Sequence, residues 1–329
     1  MDARYLKTNC LGWAVAAFAL IAASAAIAQN YPSKPVRLIV SFPPGGPVDI
    51  MGRTVAAHVW PGGTPPMIVD NRGGAGGNIG VDLAAKSAPD GYTMVISIVG
   101  TLAVSAAIYS KLPYDPARDL APIAIVGALP GVIVVHPTLP VKNVKELIAL
   151  AKKHPGELNF GSAGVGTSAH MSGELFKMLA GVKIEHVPYK GNAPAMQDLL
   201  GGRLQLMFDY LPASLPFITS GKVRAVAVGG AKRSPQLPGV PTVAESGVRD
   251  FRMVGTFGVF VPAGTPREIV AKLNADMNAM LARPEYRERL TRQGAEVPGP
   301  GSPADLAAML KSELVTWAKV VKQSGVRVD

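Results

Sequence analysis

The stretch NFGSAGVGTSAHMSGELFKMLAGVKIEHVPYKGNAPAM, residues 159–196, decides the fold because it holds two turns of small residues that each lead from a strand into a helix. The first turn, Gly161 to Ser168, precedes apolar residues at helical spacing between Leu175 and Leu179. Such a turn leaves backbone N–H groups uncovered at the positively polarised start of a helix, where an anion binds without lysine or arginine. A third turn of this kind, FPPGGPVD at 42–49, lies far upstream. Three such turns predict one anion pocket formed by two lobes.

The beginning of the chain has the pattern of a secretory signal peptide. Arg4 and Lys7 precede an apolar run from Leu11 to Ile27, and Ala26-Ile27-Ala28 has the small-x-small pattern that signal peptidase recognises. We therefore predict a signal peptide over residues 1–28, cleavage after Ala28 and a mature protein in the periplasm. A retained membrane anchor is the alternative interpretation.

The composition argues against several classes of function. Cys10 is the only cysteine, and it leaves with the predicted signal peptide, so the mature chain has no disulfide, thiol nucleophile or cysteine metal site. The five histidines share no metal-type spacing, so no metal site is expected. The formal net charge is +10 at pH 7, but the cations are scattered singly and only 6% of residues are aromatic, so we expect no nucleic-acid partner.

Short apolar runs alternate with helical patterns along the chain. Continuous runs such as Val36–Ser41 predict strands covered on both faces, and the alternation predicts an α/β fold with two mainly parallel sheets. Ligands of such sheets bind beyond the carboxyl ends of the strands, where all three turns fall. Candidate hinges lie at Leu129-Pro130-Gly131 and at Met253 to Thr256. They divide the mature chain into lobe 1, residues 29–129 and 254–329, and lobe 2, residues 130–253.

Two enzyme classes compete with a binding protein. The motif GVGTSA at 164–169, followed by Glu185, fits the spacing of a dinucleotide fingerprint. The strand before it is very short, however, and an exported chain would need its cofactor supplied outside the cytoplasm. Ser168 and His170 suggest nucleophilic catalysis, but the second glycine of a nucleophile elbow is missing. We therefore favour a non-enzymatic protein without a cofactor, and a structural turn without any ligand is the remaining alternative for the glycines.

Several residues beside the turns have both a structural and a functional interpretation. Asp209 follows an apolar strand, and its carboxylate either caps the next helix or contacts a ligand. For His170, capping or packing is favoured over ligand contact. Asp49 can cap the helix that follows the upstream turn. Tyr189 and Gly191 place an aromatic wall and a bare backbone beside the second turn, and a surface loop is their alternative.

Taken together, these motifs resemble the Bug family of periplasmic solute-binding proteins, the TctC-type receptors of tripartite tricarboxylate transporters. The resemblance covers essentially the whole mature chain and includes YPSKPVRLIVSFPPGGPVDIMGR, VDNRGGAGGNIG, FGSAGVGTSAHMSGELFKMLAG and HVPYKGNAPAMQDLLGGRLQLMFD. It implies a type II-like periplasmic binding protein, with two α/β lobes joined by two hinge crossings and a cleft that closes on a small carboxylate. In the family, backbone N–H groups, hydroxyls and ordered waters hold the carboxylate.

The resemblance also implies a set of ligand-binding residues. With Gly100 added from the segment that follows the strand after Gly91-Tyr92-Thr93, the predicted site consists of Phe42, Gly46, Asp49, Gly100, Ser162, Gly164, Gly166, Thr167, Ser168, His170, Tyr189, Gly191 and Asp209. Two positions depart from the family pattern: Val48 replaces a threonine, and Ser97–Ser110 lacks a His-Ala and Asn-Pro pattern. Both departures make the predicted walls less polar, which favours a ligand with an apolar or aromatic body.

The sequence thus predicts an exported, monomeric receptor that captures a small organic carboxylate and passes it to the membrane subunits of a tripartite tricarboxylate-type transporter. It predicts no cofactor, no metal and no nucleic acid. Two alternatives stay open at this point: a periplasmic sensor for a membrane signalling partner, and, less favoured, a periplasmic dinucleotide-dependent enzyme.

Overall fold

The computed structural model describes residues 31–62 and 65–327. The predicted signal peptide and its cleavage point lie outside the described residues. No helix within the described ranges is long and apolar enough to cross a membrane.

Nine strands and ten helices make up the described part of the chain. The strands are β1 (Val36–Val40), β2 (Met67–Asn71), β3 (Thr93–Ile98), β4 (Leu120–Val135), β5 (Asn159–Ser162), β6 (Glu185–Pro188), β7 (Leu206–Tyr210), β8 (Arg224–Val228) and β9 (Val254–Pro262). The helices are α1 (Pro47–His58), α2 (Asn78–Ala85), α3 (Val99–Ile108), α4 (Val144–Lys153), α5 (Ser168–Ala180), α6 (Asn192–Leu200), α7 (Leu211–Thr219), α8 (Arg267–Ala282), α9 (Pro284–Arg292) and α10 (Pro303–Ser324). A short 3₁₀ turn, Ala75–Gly77, precedes α2.

The strands form one continuous sheet that passes through both lobes. Its order is β2-β1-β3-β9-β4-β7-β5-β6, and β8 also pairs with β4. Strand β4 is 16 residues long: residues 120–130 pair with β9, and residues 131–135 pair with β7. The prediction of a two-lobed α/β fold is confirmed. Each half of the sheet is mixed rather than mainly parallel. Strand β9 runs antiparallel to β3 and β4, and β4, which passes from lobe 1 into lobe 2, runs antiparallel to β7 and β8.

The continuous apolar run at the end of β4 is buried on both faces of the sheet. Ile133 and Val135 pack in the cluster that contains Leu147 of α4, whereas Val132 and Val134 pack in the cluster that contains Leu199 of α6. Successive side chains of a strand point to opposite faces, so helices on both sides require an unbroken apolar sequence. This packing positions the carboxyl ends of the lobe 2 strands against lobe 1.

The change of pairing partner within β4 occurs between Pro130 and Gly131. Pro130 pairs with Val254 of β9, and Gly131 pairs with Tyr210 of β7. The Gly131 N–H donates to the Met253 carbonyl at 2.8 Å, and a Cβ at Gly131 would overlap the Met253 side chain. A glycine is therefore required where the two crossing segments touch. The lobe boundaries at 129/130 and 253/254 stay a prediction, and both lie beside this contact.

Candidate functional site

Five helices begin at one small cavity between the lobes. The cavity has a volume of about 10 Å³, which is room for about one water molecule, so the lobes are closed on each other. It is lined by apolar, hydroxyl and amide side chains, and within the described residues no lysine, arginine or carboxylate belongs to the lining. The lining consists of Phe42, Pro47, Val48, Ile98, Thr101, Ala163, Thr167, Ser168, Ala169, Asn192 and Tyr210.

The helix starts bring positive backbone ends to this cavity from both lobes. Val48 lies in the first turn of α1, Ser168 and Ala169 open α5, and Asn192 opens α6. Within the described residues, the N–H groups of Val48 and Ala169 have no hydrogen-bond partner. Free N–H groups and aligned helix dipoles favour an anion, so the cavity is electropositive without a charged side chain.

A chain of three hydroxyls joins the lobes at the edge of the cavity. The Oγ1 of Thr101, on α3 of lobe 1, lies 3.1 Å from Ser168 Oγ on α5 of lobe 2, and it accepts the Ser168 N–H at 3.2 Å. Ser168 Oγ lies 2.8 Å from the Tyr210 hydroxyl at the end of β7. All three side chains are buried. The contact between Thr101 and Ser168 links the two lobes and therefore belongs to the closed arrangement.

Asp209 is fully buried behind Asn192. Its Oδ1 accepts the Asn192 side-chain amide at 2.5 Å, and its Oδ2 accepts the Ser214 hydroxyl at 2.7 Å. Burial raises the pKa of Asp209 to about 6, although these hydrogen bonds act in the opposite direction. The residue at the N-cap of α7 is Tyr210, and no side chain caps that helix. Asp209 therefore holds the Asn192 amide in place and does not itself line the cavity.

The turn Gly161–Ser168 is closed by its own hydroxyls. Thr167 is the N-cap of α5 and accepts the His170 N–H at 3.2 Å, while its hydroxyl donates to the Gly164 carbonyl at 2.9 Å. Gly164 and Gly166 have φ values of +138° and +79°, which side chains other than glycine rarely adopt. Ser162 is buried below the turn and accepts the Gly164 N–H at 3.2 Å. Thr167 and Ser168 reach the cavity, whereas Ser162, Gly164 and Gly166 shape the turn.

His170 lies behind the turn and does not line the cavity. Its side chain is buried and stacks on His186, with ring centroids 3.8 Å apart. The first helical turn therefore contains a packed histidine, which agrees with the interpretation that the sequence favours.

Asp49 supports the upstream turn from below. Its carboxylate accepts the Gly45 N–H at 2.9 Å, the Arg53 guanidinium at 2.9 Å and the Asn71 amide at 2.9 Å. Burial alone would raise the pKa of Asp49, but the hydrogen bonds from Arg53, Gly45 and Asn71 outweigh it and hold the pKa below its usual value. The helix that follows begins at Pro47 with Gly46 as N-cap, so Asp49 lies inside the helix and does not cap it.

Tyr189 and Gly191 lie at an outer opening of the cleft. The Tyr189 hydroxyl donates to Asp198 at 2.8 Å, and the Gly191 N–H donates to the Ala163 carbonyl at 3.1 Å. Together with the 3₁₀ turn 75–77 these residues line an opening of about 340 Å³. They belong to the mouth of the cleft and not to the inner cavity.

Phe42, Gly46 and Gly100 lie on the lobe 1 side. Phe42 lines the cavity, and a Cβ at Gly46 would make an ordinary contact with Asn192 at 3.6 Å, so Gly46 lies opposite Asn192 across the cleft. Gly100 lies on the hinge side between Ser168 and Trp317, and it lines a groove of about 710 Å³.

Only Phe42, Thr167 and Ser168 of the predicted site line the cavity, and eight of its eleven described lining residues are absent from the prediction. Three of those eight have polar side chains: Thr101, Asn192 and Tyr210. Asn192 follows Gly191 at a helix start, and Tyr210 follows Asp209 at the end of a strand, so adjacency to a predicted residue was an available signal. Thr101 lies in the segment 97–110, whose departure from the family pattern drew attention to the missing polar residues and not to the hydroxyl that is present.

Two α/β lobes that close on a small electropositive cavity, with strands crossing between them, define a periplasmic-type solute-binding protein. The chain belongs to the TctC family, the tripartite tricarboxylate transporter family receptors, whose family model matches residues 52–326. The resemblance seen in the sequence is thereby confirmed, and the family is one of solute-binding receptors and not of enzymes.

Solved structures of similar proteins agree with this assignment. The chain is 40% identical to Rpa4515 of R. palustris, solved with adipate, at a TM-score of 0.87 over 90% of this chain and 99% of that one. It is 38% identical to the periplasmic binding protein BugD, at a TM-score of 0.86 over 90% and 99% of the two chains. It is 34% identical to MatC (Rpa3494) of Rhodopseudomonas palustris, solved with bound malate, at a TM-score of 0.84 over 88% and 100%.

Proposed function

We propose that this protein captures a small organic carboxylate with an apolar body in the periplasm and delivers it to the membrane subunits of a tripartite tricarboxylate-type transporter. The observation that carries the proposal is the convergence of helix N-termini from both lobes on a cavity without charged side chains. The unpartnered N–H groups of Val48 and Ala169 are placed to receive carboxylate oxygens. Because the closed cavity has room for about one water molecule, the lobes must part and then close around the acid.

The apolar part of the ligand follows from the remaining walls. Phe42, Val48 and Ile98 of lobe 1 and Ala163 of lobe 2 offer carbon surface beside the polar groups. Rpa4515 was solved with adipate and MatC with malate. Adipate, with its unsubstituted methylene chain, suits apolar walls better than malate, whose hydroxyl needs a partner. Adipate is therefore the first ligand to test.

Binding is tested by comparing acids with uncharged analogues. Native mass spectrometry of freshly purified protein identifies any acid that co-purifies, and isothermal titration then compares adipate, malate and adipamide. We expect adipate to bind more tightly than malate, and adipamide at least about tenfold more weakly than adipate, because charged hydrogen bonds are worth roughly 1.5 to 3 kcal/mol. Equal affinity for adipate and adipamide would contradict an anion site.

Delivery is tested in the native host. Deletion of the gene should abolish high-affinity uptake of the identified radiolabelled acid, and complementation with the wild-type gene should restore it. Uptake that is unchanged in the deletion strain would refute the transport role while leaving ligand binding intact.

A further inference from the structure

Two stacked imidazoles lie on the far side of the turn Gly161–Ser168 from the cavity. His170 belongs to α5 and His186 to β6, with ring centroids 3.8 Å apart and ring planes inclined by 24°. Phe160 of β5 packs beside both rings, at 4.9 Å from His186 and 6.4 Å from His170. Neither histidine lines the cavity or its mouth.

Each imidazole holds one end of the turn. The Gly166 N–H donates to His170 Nδ1 at 3.3 Å. The His186 Nε2 lies 2.7 Å from Ser162 Oγ, and the Ser162 hydroxyl donates to the Gly164 carbonyl at 3.1 Å. With the hydroxyl proton directed to that carbonyl, His186 donates through Nε2–H to Ser162. The backbone between Ser162 and Gly166 is thus held from behind by both rings.

The hydrogen bond from Gly166 to His170 requires a neutral ring, whereas His186 Nε2–H can donate to Ser162 in either charge state. A nitrogen that accepts the Gly166 N–H carries no proton, so the proton of His170 lies on Nε2, which is 3.9 Å from Glu174 Oε1. Burial lowers the pKa of His170 to about 4. Burial is the main cause that lowers the pKa of His186 to about 3, and the neighbouring His170 is the second cause. The groups that face the stack are Glu174 and Lys177, which form an ion pair at 2.9 Å on α5.

We propose that His170 and His186, the stacked histidines, are positioning residues that hold the turn Gly161–Ser168 in the shape that binds the ligand, although neither touches it. The proposal rests on the proposed carboxylate-binding function. A protonated His170 would place a donor against the Gly166 N–H, and two donors at 3.3 Å repel each other. Loss or protonation of the His170 Nδ1 acceptor therefore removes a hydrogen bond that holds the turn. The same turn contains Thr167 and Ser168, which line the cavity.

Paired substitutions separate packing from hydrogen bonding. His170→Leu and His186→Leu keep a side chain of comparable bulk without the polar nitrogen. His170→Asn offers an acceptor near the Nδ1 position, and His186→Gln offers a donor near the Nε2 position. We expect each Leu variant to bind adipate about tenfold more weakly and each amide variant to retain most of the affinity. His154→Leu, at the end of α4, is the matched control and should bind as the parent does.

A second measurement needs no ligand. Hydrogen exchange of the Gly166 amide, followed by ¹⁵N NMR, should be slow in the parent and in His170→Asn but fast in His170→Leu. The imidazole ¹⁵N spectrum of the parent near neutral pH should show an unprotonated His170 Nδ1. If no acid co-purifies and none of a panel of small organic acids binds the parent, the proposed function fails, but the exchange of Gly166 still decides the role of the stacked histidines.

Titration with acid completes the test. Below about pH 5 adipate affinity should fall more steeply for the parent than for His170→Asn. Protonation of adipate affects both proteins equally, so the difference between them reports the histidine. Leu variants that fold, bind adipate with the parental affinity and protect Gly166 would overturn the proposal. If the Leu variants do not fold, equal pH profiles for parent and His170→Asn would overturn it.

Discussion

The substitution Gly166→Ala tests whether the lobes close on the ligand with α3 against the turn Gly161–Ser168. Gly166, in lobe 2, has φ of +79°, and a Cβ added there would overlap the Cδ1 methyl of Ile108, a buried residue of α3 in lobe 1. The substitution therefore has two separable costs. The backbone strain is present in the open and the closed state, whereas the overlap with Ile108 arises only when the lobes meet.

The two costs have different sizes and different readouts. A left-handed backbone at a non-glycine residue costs about 1 to 2 kcal/mol, which lowers the free energy of unfolding. Overpacking typically costs about 1 to 3 kcal/mol. Because it acts on the closed state, the overlap should raise the Kd for adipate by about 5- to 150-fold.

Two further variants isolate the overlap. Gly181, at the C-terminus of α5, has φ of +63° and open space where a Cβ would lie, so Gly181→Ala should lose comparable stability without losing affinity. Ile108→Val removes the overlapping methyl, so the double variant Gly166→Ala/Ile108→Val should recover most of the affinity in a double-mutant cycle. Isothermal titration and urea unfolding supply both quantities. Parental affinity in a folded Gly166→Ala protein would refute the contact of this turn with α3 in the ligand-bound state.

Four further outcomes are expected. Thr101→Val removes the acceptor of the Ser168 N–H across the lobes, so titration should show a loss of about 1 kcal/mol in adipate binding, with little change in the melting temperature of the ligand-free protein. Asp209→Ala leaves the buried donors of Asn192 and Ser214 without an acceptor, so urea unfolding should show a loss of roughly 3 kcal/mol, and a loss below about 1 kcal/mol would contradict this role. The free energy of unfolding should fall as the pH drops from about 6.5 towards 4, because His170 and His186 bind protons in the unfolded chain but stay neutral in the folded protein. Asp209 opposes this trend below about pH 6, because its raised pKa lets the folded protein bind a proton that the unfolded chain does not bind. We expect the two histidines to outweigh Asp209, so a higher free energy of unfolding at about pH 4.5 than at pH 7 would contradict the prediction. Adipate at about 100 times its Kd should add roughly 2.7 kcal/mol to stability and reduce the radius of gyration in solution scattering; a higher melting temperature with an unchanged scattering curve would show that the cleft is preformed.

The turns that border the candidate site could be predicted from local sequence, although only Phe42, Thr167 and Ser168 of the predicted residues line the cavity. The turn at 161–168 follows a strand and opens a helix, and small residues at such a turn expose N–H groups whatever the rest of the fold does. The upstream turn at 42–49 could be predicted in the same way, because its glycines directly precede a helix. The alternation of apolar runs with helical spacing likewise predicted the α/β class, because burial of one or both faces of an element fixes the spacing of its apolar residues along the sequence.

Other features depended on which distant segments meet. Ser97 of β3 pairs with Gly258 of β9, and this pairing leads from the lobe 1 sheet to β4 and so to lobe 2. No local pattern states that order, so the mixed sheets and the single long β4 were not predicted. The role of Asp209 stayed open, and Asn192 was not predicted, for the same reason: a carboxylate at a strand end has no fixed partner until α6 is packed against β7.

The sequence by itself therefore determined the chemistry available at each turn: bare N–H groups, glycines with positive φ and hydroxyl caps. Only the tertiary structure decided that five helix starts share one cavity, that Thr101 meets Ser168 across the lobes, and that His170 lies behind the turn against His186. The physical reason is that backbone preferences and capping act over a few residues. Contacts between segments far apart in sequence are selected by the joint burial of their apolar faces, which the whole chain settles together.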